Sequence, residues 1–316
     1  MNKKVVVLGG GKGISYLLAG LKDFPLDITA VITVADNGKS TGKLREEFHI
    51  PAVGDVRKVI TSMSGSDETI KKMLEYRFHT TSDLDGHALG NLILTSLLDI
   101  TGSLKSAIEE LSILLDVKSN IFPLTEDKNI TLMGEATDGS IIEGEEMITK
   151  SPKKIKRLFY KEEPNVLKEV ITAINEADLV LLSMGSLYTS LFPNLLSKKV
   201  ITALDKTKSP IMYVCNIVTQ PGETDNFTVS DHVNLINEYL GKHKLDVVIA
   251  SNSPISKEMA EKYACKERKD PVKIDYAVLK ALDVEFIEAD LLTIADDTLK
   301  HHSQKLSSLI FSYLMR

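Results

Sequence analysis

Short apolar, β-branched runs recur along the chain: KVVVL, ITAVITV, DLVLLS, IMYVCN, DVVIAS and VEFIEA. Between several of them the apolar positions fall at helical spacing, as at Ile14, Leu17, Leu18 and Leu21, or at Val233, Ile236 and Leu240 before a stop at Gly241. Strands that are apolar on both faces and separated by helices predict a mainly parallel sheet covered on each side. The predicted fold class is an open α/β sheet.

The alternation is interrupted over residues 41–177, read as a helical and β-hairpin region inserted within a single domain spanning 1–316. Here Ser66 is expected to cap a helix carrying Ile70, Met73, Leu74 and Phe78, and the apolar run Ala88 to Leu98 reads as a buried helix. In KNITLMGEATDGSIIEGEEMI, Asp138-Gly139 between two apolar runs predicts an antiparallel hairpin. No internal repeat and no Pro/Gly/Ser linker divides the chain further.

In a parallel α/β sheet, ligands bind beyond the carboxyl ends of the strands, where the strand order reverses. The residues at those ends are polar or small: Gly9 to Gly13, then Asp36-Asn37-Gly38, Ser183-Met184-Gly185-Ser186, Asn216, and Ser251-Asn252-Ser253. Gly10, Gly11 and Gly13 would bring backbone N–H groups to an anion at a helix N-terminus, with Lys12 adding a point charge. On that reading, a bulky residue at Gly11 would block the ligand at little cost to the fold. A tight turn with no ligand is the bland alternative. The dinucleotide fingerprint G-x-G-x-x-G is broken by Ile14 or Tyr16, depending on its starting glycine, and the P-loop pattern fails because Gly13 follows Lys12. A nicotinamide dinucleotide is therefore disfavoured.

Asp36 stands about where a dinucleotide fold places its ribose-binding carboxylate, although an Asx-turn explains Asp-Asn-Gly equally well. In the insertion, Asp55 and Arg57 (GDVRKVI) and His87, Gly90 and Asn91 (GHALGNLIL) offer a bidentate phosphate ligand and a proton carrier, or a structural helix start. Glu223 in TQPGETDNF meets a sugar hydroxyl or merely caps a turn.

Composition narrows the function classes. The chain has 316 residues, 43% of them hydrophobic and 26% charged, as in a soluble globular protein. Its formal net charge of −6 argues against a nucleic-acid partner. Cys215 and Cys265 are too few and too unpatterned for a disulfide framework or a zinc site, and no metal is expected. The apolar runs fall short of a signal peptide's apolar region and of a membrane span, so a cytoplasmic protein is expected.

Together these stretches resemble the YvcK-type gluconeogenesis factors (UPF0052), relatives of the 2-phospho-lactate transferases known as CofD-like proteins. The resemblance runs in order from VVVLGGGKG through VADNGKSTGKLREEF, GDVRKVI, YRF, GHALGNLIL, DGSIIEGE and GSLYTSLFPNLL to CNIVTQPGET and DHV. It implies a Rossmann-like sheet with a pyrophosphate-bearing nucleotide at its carboxyl edge. It also implies a UDP-sugar such as UDP-N-acetylglucosamine as ligand, without a further cofactor, and a role in cell shape and wall synthesis during gluconeogenic growth through protein partners. Homo-oligomerisation is left open. Carried onto this chain, the motifs add Asn37, Ser40, Gly185, Ser186, Tyr188, Asn194, Asn216 and Thr219 to the binding set. The transferase branch implies instead that Asp36, Arg57 and His87 move a phospholactyl group to a deazaflavin alcohol. Two departures stand out. The family's DDGGSSGRLR reads DNGKSTGKLR, with Asn37 for an acid and Lys39 for a glycine, and the usual RHD near the end reads Lys300-His301-His302.

Overall fold

The computed structural model describes residues 2–295 and 297–316. The chain begins with the alternation the pattern predicts: β1 (Lys3–Gly9), α1 (Gly11–Leu21) and β2 (Leu26–Ile32). Four helices follow, α2 (Lys39–Phe48), α3 (Gly54–Met63), α4 (Glu68–Glu75) and α5 (Leu89–Thr101), then α6 (Leu104–Leu114) and β3 (Asn120–Pro123). Next come β4 (Leu132–Ala136), β5 (Ile141–Glu143), α7 (Glu145–Lys150) and β6 (Ile155–Tyr160). The alternation resumes with α8 (Lys168–Glu176), β7 (Leu179–Leu182), a π-helical turn (Leu187–Leu191), α9 (Phe192–Leu195), α10 (Lys198–Lys206) and β8 (Ile211–Val214). It ends with α11 (Val229–Tyr239), β9 (Val247–Ser251), α12 (Lys257–Glu267), α13 (Tyr276–Leu279), β10 (Glu285–Ala289), the pair β11 (Leu292–Ala295) and β12 (Thr298–His301), and α14 (Ser303–Leu314).

Seven strands form one sheet in the order β10-β9-β8-β7-β1-β2-β3, and every neighbouring pair is parallel. From β1 the order runs to β2 and β3 on one side and to β7, β8, β9 and β10 on the other. The crevice between the carboxyl ends of β1 and β7 is therefore the switch point. Side chains alternate across the sheet with the two-residue strand period: Val5 and Val7 join a core with α1, α3, α6 and α14, and Val6 and Leu8 join one with α8, α9 and α11.

All six predicted strands are present, and the predicted hairpin pairs β4 with β5, with Gly139 at φ 82° in its turn. Sequence reading did not find β3, which lies inside 41–177 yet extends the main sheet beside β2. One expectation for the helices is corrected. Asp67, not Ser66, precedes α4, and of the four apolar residues assigned to that helix only Leu74 is buried while Phe78 lies beyond its end. The expected buried helix is α5: Ala88, Leu94 and Leu98 are buried and Leu89, Leu92, Ile93 and Leu97 half-buried, while Ile100, beyond the predicted run, is exposed. Among the described residues no helix is long and apolar enough to cross a membrane.

Lys39, where the family pattern has glycine, sits at φ 24° at the first position of α2. An L side chain is strained there, and that of Lys39 is exposed. Lys39→Gly is therefore expected to stabilise the protein by about 0.5–1 kcal/mol. Urea unfolding should show a higher midpoint at unchanged slope. At Gly13 the reverse holds, since a Cβ would lie 1.9 Å from the Met184 carbonyl oxygen. Gly13→Ala should cost about 1–3 kcal/mol in the same measurement.

Candidate functional site

At the switch point β1 ends in Gly9 and α1 starts at Gly11, with Gly10 extended and Gly11 at φ 62°. The glycines serve different purposes. A Cβ on Gly9 would meet the Ser183 hydroxyl at 2.0 Å, so Gly9 and Gly13 let the turn after β1 lie directly on the turn after β7. Gly11 supplies a left-handed backbone conformation, which revises the expectation that a bulky residue there would spare the fold. The Gly11 N–H, one of the free donors of α1, gives a 2.7 Å hydrogen bond to Oδ2 of Asp55. Lys12 is exposed and, among the described residues, makes no ion pair.

Asp36 leaves the end of β2 and comes to the same crevice. Its Oδ1 accepts the Gly38 N–H at 2.9 Å, the Asx-turn weighed from the sequence, and its carbonyl accepts from Arg45 at 3.0 Å. Arg45 also donates to the Ile130 carbonyl at 2.7 Å, tying this turn to the approach of β4. Glu145, at the start of α7, completes an acidic group that sequence reading missed. Burial, then the neighbouring Asp55 charge, push the Asp36 carboxyl above the usual carboxylate range. Burial, then Asp36, push Glu145 up to about 7. Asn37 accepts the Glu146 N–H at 2.9 Å, so its side chain holds α7 over the crevice.

Across the crevice, Gly185 (φ 131°) is clamped by Asn216, whose Oδ1 accepts its N–H at 2.8 Å and whose Nδ2 donates to its carbonyl at 2.7 Å. Asn216 therefore fixes the β7 turn with both ends of its amide. The Ser186 hydroxyl is shared between the two Glu223 oxygens at 2.7 and 2.8 Å, and the Tyr188 N–H reaches Glu223 at 3.3 Å. Burial pushes Glu223 up to about 7 and raises the Tyr188 hydroxyl as well. The π-helical turn, where Leu191 N–H reaches back to the Ser186 carbonyl, turns Ser190 toward Gly11, its Oγ 3.4 Å from a Cβ there. Asn194 is fully buried and donates to the carbonyls of Gly9 and Ser190, both at 3.2 Å, joining the two turns from beneath.

The remaining predicted residues form a separate buried network. Ser40 lies 3.2 Å from His87 Nδ1 and accepts from Asn91 at 3.1 Å, while Arg57 donates to Asn91 at 3.0 Å and, among the described residues, makes no ion pair. Arg57 is 4% exposed, its chain lying where a Cβ on Gly90 would collide at 2.7 Å. Thr219 is further off, bridging Asp270 through its N–H and its hydroxyl. In the altered tail, His301 is buried against the Cys215 carbonyl at 3.1 Å, and burial lowers it to about 4.

Beyond Asn216, a pocket of about 170 Å³ opens between the ends of β8 and β9, lined by Ile217, Ile255 and Pro271 with Ser251 and Ser253. A larger cleft of about 470 Å³ lies at the opposite edge, against the first residues of β1 and β2, where Lys4, Lys168, Asp27 and Glu169 bring both signs of charge. The carboxyl edge is preferred despite its smaller volume, because the free helix donors and the strand-order reversal lie there. Among the described residues no three histidine, cysteine or acidic side chains are placed to hold a metal ion.

Glu223 gives a measurable signature. A carboxyl raised from 4.5 to about 7 keeps a proton that the unfolded chain releases, so its stabilising contribution is lost as pH rises through that window. Glu223→Gln removes this loss. Relative to wild type, the variant should gain about 1–3 kcal/mol between about pH 5 and about pH 8. Denaturant unfolding at both values checks this, and any pH-independent loss of a hydrogen bond cancels in the comparison.

The family profile of 2-phospho-L-lactate transferase CofD matches residues 5–292. The chain is 42% identical to the gluconeogenesis factor of Halalkalibacterium halodurans, with 98% of this chain and 95% of that protein covered. It is 39% identical to the gluconeogenesis factor of Bacillus subtilis, with 98% of each covered. A crystal structure of a UPF0052 family member from Bacillus halodurans superposes with a TM-score of 0.94 at 42% identity, over 98% of this chain and 99% of that one. With the sheet, both glycine turns and the ordered motifs in place, the chain belongs to the gluconeogenesis-factor (UPF0052) group of the CofD family.

Proposed function

We propose that this chain binds a nucleotide sugar, a UDP-sugar such as UDP-N-acetylglucosamine, and acts as a cytoplasmic regulator of wall synthesis and cell shape through protein partners. The observation that carries the reading is the layout of the carboxyl edge. The first N–H groups of α1, that of Gly11 bonded to Asp55, lie at the end of β1, and the pocket between β8 and β9 lies two to three strands away. At about 4.8 Å per strand this is roughly 10–14 Å, the span from a diphosphate across a ribose to a base. Asp36 and the hydroxyl of Ser190 flank the start of that path, and Glu223 with Ser186 its middle.

The transferase reading is favoured by the name of the matching family profile. It needs a charge stabiliser and a proton carrier at the reacting phosphate. Arg57 is engaged with Asn91 and the Leu74 carbonyl, and His87 with Ser40, both inside the protein. The family's second acid at position 37 is here Asn37, whose amide oxygen is used on α7. A binder needs none of these groups at the phosphate.

The test is calorimetric titration with UDP-N-acetylglucosamine, followed by chromatography of the ligand after hours of incubation with and without magnesium. Saturable binding with the ligand intact is expected. Stoichiometric release of UMP, UDP or free sugar, or transfer of phospholactate to a deazaflavin alcohol, would replace the regulator reading with the transferase.

A further inference from the structure

The position that a ligand phosphate would take at α1 is already filled by the protein's own carboxylate. Asp55, 8% exposed, puts Oδ2 2.7 Å from the Gly11 nitrogen and within 2.9 Å of where a Gly10 Cβ would be. Its other oxygen holds Lys58 Nζ at 2.8 Å. A carboxylate bonded to a free N–H at a helix N-terminus and to a lysine makes the contacts a phosphate would make there. Two anions cannot share one N–H, and bringing like charges together costs binding energy. Asp36 and Glu145, which already feel the Asp55 charge, add to that cost.

We propose that the Asp55–Lys58 pair is an internal stand-in for the ligand phosphate. On binding, a phosphate oxygen takes the Gly11 N–H from Asp55, and Lys58 changes partner from Asp55 to the phosphate. Asp55 thus sets a threshold on anion binding, and Lys58 is a phosphate ligand held in reserve. No covalent bond changes; only hydrogen bonds and ion pairs are exchanged. The proposal rests on the nucleotide reading of this crevice and adds the contact that regulates it. Lys58 suits the exchange because its side chain is 28% exposed beside the nearly buried Asp55, so it can turn without unpacking α3.

The experiment titrates UDP-N-acetylglucosamine and inorganic pyrophosphate into wild type, Asp55→Asn, Asp55→Ala and Lys58→Met, in EDTA and in magnesium, with melting temperatures confirming that each protein is folded. Both Asp55 variants are expected to bind both probes at least about tenfold tighter than wild type, through removal of the competing charge. Lys58→Met is expected to bind about tenfold more weakly, through loss of a charge-assisted contact. Wild type that binds while the Asp55 variants bind equally or more weakly, with or without magnesium, overturns the stand-in but leaves the nucleotide reading in place. Should the Asp55 variants not fold, unchanged affinity in Lys58→Met overturns it. If no protein binds either probe, the nucleotide reading and the stand-in fall together.

Discussion

The structure depends on how closely two turns approach at the centre of the sheet. The start of α1 lies on the turn after β7 with no room for a side chain at Gly13, and Gly9 makes the same allowance for Ser183. Both turns end neighbouring central strands whose side chains are almost completely buried, so the contact is fixed by packing on both faces. Asn194 from below and Asn216 from the side then tie each turn through backbone groups alone. The residues that hold the crevice open are therefore largely not the residues left free to meet a ligand.

That separation reorganises the candidate site. Gly10, Gly11, Asp36, Asp55 and Glu145 surround the first N–H groups of α1, and Gly185, Ser186, Tyr188 and Glu223 form the opposite wall. Arg57, His87, Asn91 and Ser40 sit behind, where they brace α2 and α3 against α5. The free wall is acidic: burial and the neighbouring carboxylates push Asp36 above the usual range and Glu145 up to about 7, and burial alone pushes Glu223 up to about 7. A site of this kind receives a polyanion by holding protons on those carboxyls or by exchanging internal partners, since either lowers the like-charge repulsion.

Much of the fold was legible because its signals are local. The apolar runs and the helical spacing of Ile14, Leu17, Leu18 and Leu21 report burial directly: the apolar residues of five runs are buried in the core, and those of the sixth, VEFIEA at the sheet edge, pack against it half-buried. The strand β3 escaped notice because Asn120–Pro123 is a four-residue edge strand ending in proline, with too few positions to show a period. Lys39 shows a different limit: the motif reveals a lost glycine, but only the backbone shows that the lysine sits at positive φ.

The site was legible as a set of strand ends and not as a set of roles. Asn216 and Asp36 stand at the ends the pattern predicts, yet whether an amide clamps a backbone or faces a ligand depends on partners distant in sequence. Glu145 was passed over for the same reason, since it reaches the crevice at the start of α7, the helix that Asn37 holds in place. The local signal that would have found it is the second acid pair, Glu145-Glu146, directly after the hairpin in DGSIIEGEEM.

The most direct test of the central claim is a crystal structure of the protein grown with UDP-N-acetylglucosamine. The account predicts a diphosphate within hydrogen-bond reach of the amides of Gly11 to Gly13 and a base in the pocket between β8 and β9. Ligand density in the cleft at the amino ends of β1 and β2, with the glycine turn unvisited, would contradict it.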